Sequence, residues 1–145
     1  MSKASRIGLI GCVKQKRELA SPAKDLYVSP LFRGRRAAVE RSCGRWFILS
    51  ALHGLVLPDA MLAPYDLALK NVKTAERRVW SARVLDALRS ELGPLEGRVF
   101  EVHAGLEYRA FGLERGLKEA GAEVETPMEG VPMGKQLRAY KAARS

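Results

Sequence analysis

Two unbroken apolar runs set the pattern of the chain: Ile7-Gly8-Leu9-Ile10-Gly11 and Trp46-Phe47-Ile48-Leu49. Runs without polar interruption mark strands buried on both faces. The apolar spacing predicts a third strand over 98–104 and a short fourth over 124–126. Between them the period changes to that of a helix. Ser29 is placed as an N-cap with Pro30 at the first helical position, predicting a helix from Pro30 to about Ser42 that Gly44 stops. Thr74 is placed to cap a second helix, whose stripe of Trp80, Val84, Leu85, Leu88 and Leu92 ends at Gly93-Pro94. Leu106, Ala110, Leu113, Leu117 and Ala120 predict a third helix closed by Gly121, and 134–143 a last, basic one.

Strands alternating with helices predict a single α/β domain over 1–145, with a mostly parallel sheet flanked by helices. Right-handed crossovers then bring the loops after the strands to one edge. That edge is where open α/β sheets place their sites. It would gather Cys12, Lys14 and Lys16 from the first strand, Ser50 and His53 from the second, and Gly105 and Tyr108 from the third. The stretch 46–69 is the centre of this arrangement. Its strand empties into a loop punctuated by Gly54, Pro58 and Pro64 and carrying Ser50, His53, Asp59, Tyr65 and Asp66. We read that loop as the floor of a small polar pocket.

Composition narrows the class. The chain has 145 residues, 47% hydrophobic and 28% charged, enough for one core without staples. No apolar run approaches a membrane span and Met1–Ser5 holds no signal-peptide core, so a cytoplasmic protein is expected. Cys12 and Cys43 are too few for a disulfide scaffold, and no HxxH, HExxH or CxxC spacing suggests a metal. No cofactor is indicated. The net charge of +9 is uneven: residues 1–45 hold eleven Lys/Arg against three Asp/Glu, a surplus of eight. A basic first third suits a nucleotide or nucleic acid, although a solubilising surface gives the same count.

Candidate chemistry follows from residue type. His53 is a candidate general acid or base, or else a turn histidine satisfied by the backbone. His103, inside the third strand, reads as a packed residue. Asp66 could hold a sugar hydroxyl or stabilise positive charge, but also suits a turn after proline. Cys12 beside Lys14 and Lys16 sits where a thiol pKa falls, yet a lone Cys at a strand end is more often a small buried hydrophobe. Lys14, Lys16 and Lys24 are candidates for phosphate, and Tyr27 and Tyr108 for stacking on a base.

The segment Ser50-Ala-Leu-His-Gly-Leu-Val-Leu-Pro-Asp with Pro64-Tyr65-Asp66-Leu67 resembles the peroxide-stress YaaA proteins, and the whole chain resembles a compact YaaA-related bacterial and phage family of poorly defined function. The resemblance extends to Cys12-x-Lys14-x-Lys16, to Ala23-x-x-Leu26-Tyr27-x-Ser29-x-Leu31-Phe32, to Ala104-Gly105-x-x-Tyr108 and to Gly130-x-x-x-Gly134-x-Gln136-Leu137. A looser likeness joins the Cys12-to-Ser29 region to a domain of archaeosine synthase, which works on a 7-deazaguanine base. YaaA carries Tyr where this chain has His53; Ser50, Gly54, Pro64 and Tyr65 are shared. Taken with the candidate residues, the expectation is a small enzyme on a nucleobase, nucleoside or nucleotide, cleaving an N-glycosidic bond or processing a modified base. Lys14, Lys16 and Lys24 would hold phosphate, with Ser29, Gly54, Tyr65 and Gly105 also lining the substrate site. Ser50 and Asp66 would orient the sugar and His53 move the proton. The alternatives are a non-catalytic DNA-binding stress protein, and amine transfer onto a modified base with Cys12 as nucleophile.

Overall fold

The structure, a computed structural model, describes residues 3–11 and 16–143. Its centre is a five-stranded sheet built around strand β1 (Arg6–Gly11). A two-residue pair, β2 (Ser21–Pro22) with β5 (Met61–Leu62), lies outside that sheet. The chain continues through a single turn of helix, α1 (Ala23–Leu26), into α2 (Pro30–Ser42) and β3 (Arg45–Ser50), which pairs parallel to β1. Strand β4 (Gly54–Val56) folds straight back, antiparallel to β3. Helix α3 (Thr74–Leu92) then carries the chain to β6 (Val99–His103), on the other side of β1. Two short helices follow, α4 (Leu106–Arg109) and α5 (Leu113–Glu119), then β7 (Glu123–Glu125) beside β6 and α6 (Met133–Ala143). The spatial order is β4-β3-β1-β6-β7. The expected α/β class, the four parallel strands and the helix from Pro30 to Ser42 are all present.

Alternation along each strand sorts side chains to two faces. Ile7, Leu9, Phe47, Leu49, Phe100 and Val102 join Trp80, Val84 and Leu88 of α3 in one core. Ile10 and Ile48 join Phe32 and Val39 of α2 in the other. Gly8 lets α2 approach: a Cβ there would stand 2.6 Å from that of Val39. On this second face α6 packs against α2, so Glu101 and His103 of β6 face a polar layer rather than hydrocarbon.

Three elements depart from expectation. The single helix foreseen from Leu106 to Ala120 is broken at Gly112, whose φ of +123° leaves the helical region. Thr74 starts α3 as a helical residue, with Lys73 preceding it and no side-chain cap. The loop after Ser50 contains β4, because a tight turn through 51–53 into Gly54, at φ +75°, reverses the chain at once. Among the described residues no helix is long and apolar enough to cross a membrane.

Candidate functional site

Strand β3 delivers Ser50, fully buried, to its carboxyl end. The Ser50 hydroxyl oxygen accepts from the backbone N–H of His53 at 3.1 Å, closing the turn locally, as Ser side chains do. Its carbonyl accepts from the indole N–H of Trp80 at 2.8 Å, which ties the turn to α3. The segment after β5 returns Tyr65 to the same point. The Tyr65 hydroxyl lies 2.7 Å from Ser50 Oγ and 2.5 Å from the Tyr27 hydroxyl, so three hydroxyls form one chain. Each can donate and accept, which lets such a chain pass a proton along its length.

Two more groups complete the cluster. The Lys16 ammonium stands 4.6 Å from the Tyr65 ring centre and 5.7 Å from that of Tyr27, within cation–π range. Backbone pairing of Lys16 with Tyr27 holds it there. His53 is exposed and meets Tyr65 edge-on, with ring centres 5.3 Å apart. A cation, a chain of hydroxyls and an exposed imidazole therefore share one place. Such a group can attract an anionic ligand and exchange a proton with it.

The remaining expected residues lie elsewhere or do other work. Cys12 and Lys14 lie outside the described residues. Lys24 is ion-paired with Asp59 at 2.7 Å. Tyr27 is only 2% exposed and packs on Phe32, and Tyr108 is 5% exposed and edge-on to Trp80. Both rings are thus largely covered by the chain's own side chains. Ser29 spends its hydroxyl oxygen on the backbone N–H of Phe32, as the cap of α2. Gly54 makes room for Arg83, whose guanidinium would sit 2.9 Å from a Cβ. Asp66 is exposed, and no hydrogen bond or ion pair ties it to the cluster. Gly105 precedes α4 and lines a recess at the end of β6.

Sequence reasoning undervalued His103. It is 3% exposed, with Nε2 2.8 Å from Glu101 and Nδ1 2.6 Å from the Tyr140 hydroxyl. Burial opposes the charge on Glu101, but hydrogen bonds from His103, Arg6 and Ser42 outweigh it and hold that carboxyl at about 2. The ring thus meets the ionised Glu101 through Nε2 and the Tyr140 hydroxyl through Nδ1. The alternation that puts Glu101 and His103 on one face, away from Phe100 and Val102, was the available signal.

A family model matches residues 7–142, that of DUF6884, described as a family of unknown function, and the chain belongs to that family. No curated protein and no solved structure matched the chain.

Proposed function

We propose that this member of DUF6884 is a small cytoplasmic enzyme acting on a nucleobase, nucleoside or nucleotide, at the N-glycosidic bond or on a modified base. One observation carries the reading: the Lys16 ammonium lies over the ring of Tyr65, the middle member of the hydroxyl chain from Tyr27 to Ser50, with His53 exposed beside it. Cleavage at a glycosidic bond needs a protonated leaving base and a stabilised sugar cation. His53 is the proton donor in this reading and Lys16 holds phosphate. Tyr65, half-buried, offers the aromatic surface that Tyr27 and Tyr108 do not. Ser50, wholly buried, positions Tyr65 and the turn rather than touching the sugar.

The test is a panel of nucleosides, nucleotides and single- and double-stranded oligonucleotides, scored for thermal shift and for released or altered base. At least one member stabilises the protein and reacts. His53→Ala lowers turnover by about a hundredfold or more, the usual worth of a positioned proton donor. A panel that neither stabilises nor reacts overturns the reading.

A second reading, DNA binding without catalysis, has its own support. A recess of about 280 Å³ is lined by Arg17, Lys24, Arg33 and Arg36. Lys24 and Arg36 are already paired with Asp59 and with Asp25 and Glu40, which weakens it. It predicts affinity whose logarithm falls with log salt by about 0.9 per phosphate contact, and indifference to His53→Ala.

A further inference from the structure

Strand order reverses at β1: the chain passes from β1 to β3 on one side, then crosses to β6 on the other. Open α/β sheets bind ligands in the crevice at such a switch point, outside the carboxyl ends of the strands. Beside the carboxyl end of β6, one strand from that point, a recess of about 150 Å³ is lined among others by Arg35, His103, Arg109, Gln136 and Tyr140.

Arg35 is the unusual member. It is 5% exposed, and its Nη1 donates to the Gly11 carbonyl at 3.2 Å. Its Nε–H, also buried, has no hydrogen-bond partner among the described residues. No carboxylate pairs with it among the described residues, and the Tyr140 hydroxyl is its side-chain neighbour. Arg109 shows the ordinary solution: its guanidinium is held by Glu114 at 2.8 Å, with Glu129 at 3.8 Å. Among the described residues Glu129 is the one carboxylate in the recess lining, and Thr126 Oγ1 donates to it at 2.7 Å. A buried charge is normally paired, and an orphaned buried donor normally satisfied.

We infer that the recess at the end of β6 is an anion site, in which Arg35 binds a phosphate or carboxylate headgroup and the Tyr140 hydroxyl, paired with His103, lies at its edge. Guanidinium is the side chain suited to such oxyanions, through its fork of N–H groups. The recess is smaller than the roughly 300–1,000 Å³ of pockets that enclose whole ligands, so it takes a headgroup. Burial pushes the Tyr140 phenol up to about 12, against the pull of Arg35, so its proton is retained at neutral pH. This site stands independently of the Lys16 cluster.

The test is thermal shift and titration of the full chain with inorganic phosphate, glycerol phosphate and succinate, each against sodium chloride at matched ionic strength. At least one anion raises Tm and binds, and the arm that does so separates phosphate from carboxylate. Arg35→Gln weakens that binding at least tenfold, Tyr140→Phe a few-fold. Arg35→Lys, which keeps the charge but not the fork of N–H groups, weakens that binding less than Arg35→Gln does. Arginine Nε–H resonances of the unaltered protein give a readout that needs no variant: one of them moves on titration. No anion effect beyond chloride, an undiminished effect in Arg35→Gln, or unmoved resonances overturns the inference.

Discussion

The hydroxyls of Ser50 and Tyr65 lie 2.7 Å apart although fifteen residues separate them in sequence. That contact fastens the segment after β5 to the end of β3, and it passes the linkage on to Tyr27. Tyr65→Phe removes the central member and leaves the buried Tyr27 and Ser50 hydroxyls without it. Losing the two hydrogen bonds of the Tyr65 hydroxyl costs about 0.5–1.5 kcal/mol each. A drop of that size in unfolding free energy, seen as a lower denaturant midpoint at unchanged slope, is the expected result.

Gly8 serves the fold rather than the site. A methyl group there would meet the Val39 side chain at 2.6 Å, where α2 lies against β1. Gly8→Ala has to push α2 off the sheet, and overpacking of this kind costs about 1–3 kcal/mol. Gly93→Ala is a useful comparison, since that position has a φ of +75° but nothing within 4 Å. Thermal melts of the pair separate crowding from backbone strain. Val39→Ala relieves part of the Gly8→Ala penalty, giving a non-additive double mutant.

Legibility followed periodicity. The apolar runs at Ile7 and Trp46 and the stripe from Trp80 to Leu92 marked β1, β3 and α3, because burial on one or both faces writes itself into spacing. Strand β4 was hidden because only three residues pair and the turn before it needs Gly54 alone. Of the site, Ser50, His53 and Lys16 were legible as residue types at strand ends. The partnership of Tyr65 with Tyr27, and that of His103 with Tyr140, was not. Those pairs join residues 38 and 37 positions apart, and local pattern carries no such information. Arg35 is one of three arginines near the start of α2, with Arg33 and Arg36, and only its burial sets it apart.

Acid should reveal Glu101. Its carboxyl is held at about 2, below the ordinary 4.5, because the hydrogen bonds from His103 and Arg6 exceed the burial penalty. A group whose folded pKa is depressed contributes stability that is fully present above the unfolded value and lost as pH falls through the folded one. The expected loss therefore runs from about pH 4.5 down to pH 2 and amounts to about 3 kcal/mol. Denaturant unfolding across that window measures it. Glu101→Gln is less stable at neutral pH and flatter below pH 4.5, having no proton to take up.

His53 separates chemistry from folding. Its imidazole is exposed and touches Tyr65 only by its edge, while the backbone N–H that closes the turn on Ser50 belongs to the main chain. His53→Ala keeps that N–H and removes only an exposed ring. Surface changes of this kind stay within about 0.5 kcal/mol. The variant should match the parent in denaturant midpoint yet lose turnover of whatever nucleoside or nucleotide the panel identifies. Ser50→Ala makes the opposite comparison, because it strips the acceptor from the His53 N–H and a partner from Tyr65. It should lose about 1–3 kcal/mol of stability. Equal turnover in His53→Ala and the parent would assign the proton transfer to another group. The Tyr65 hydroxyl is then the next to test, since it joins Ser50 to Tyr27 beneath the Lys16 ammonium.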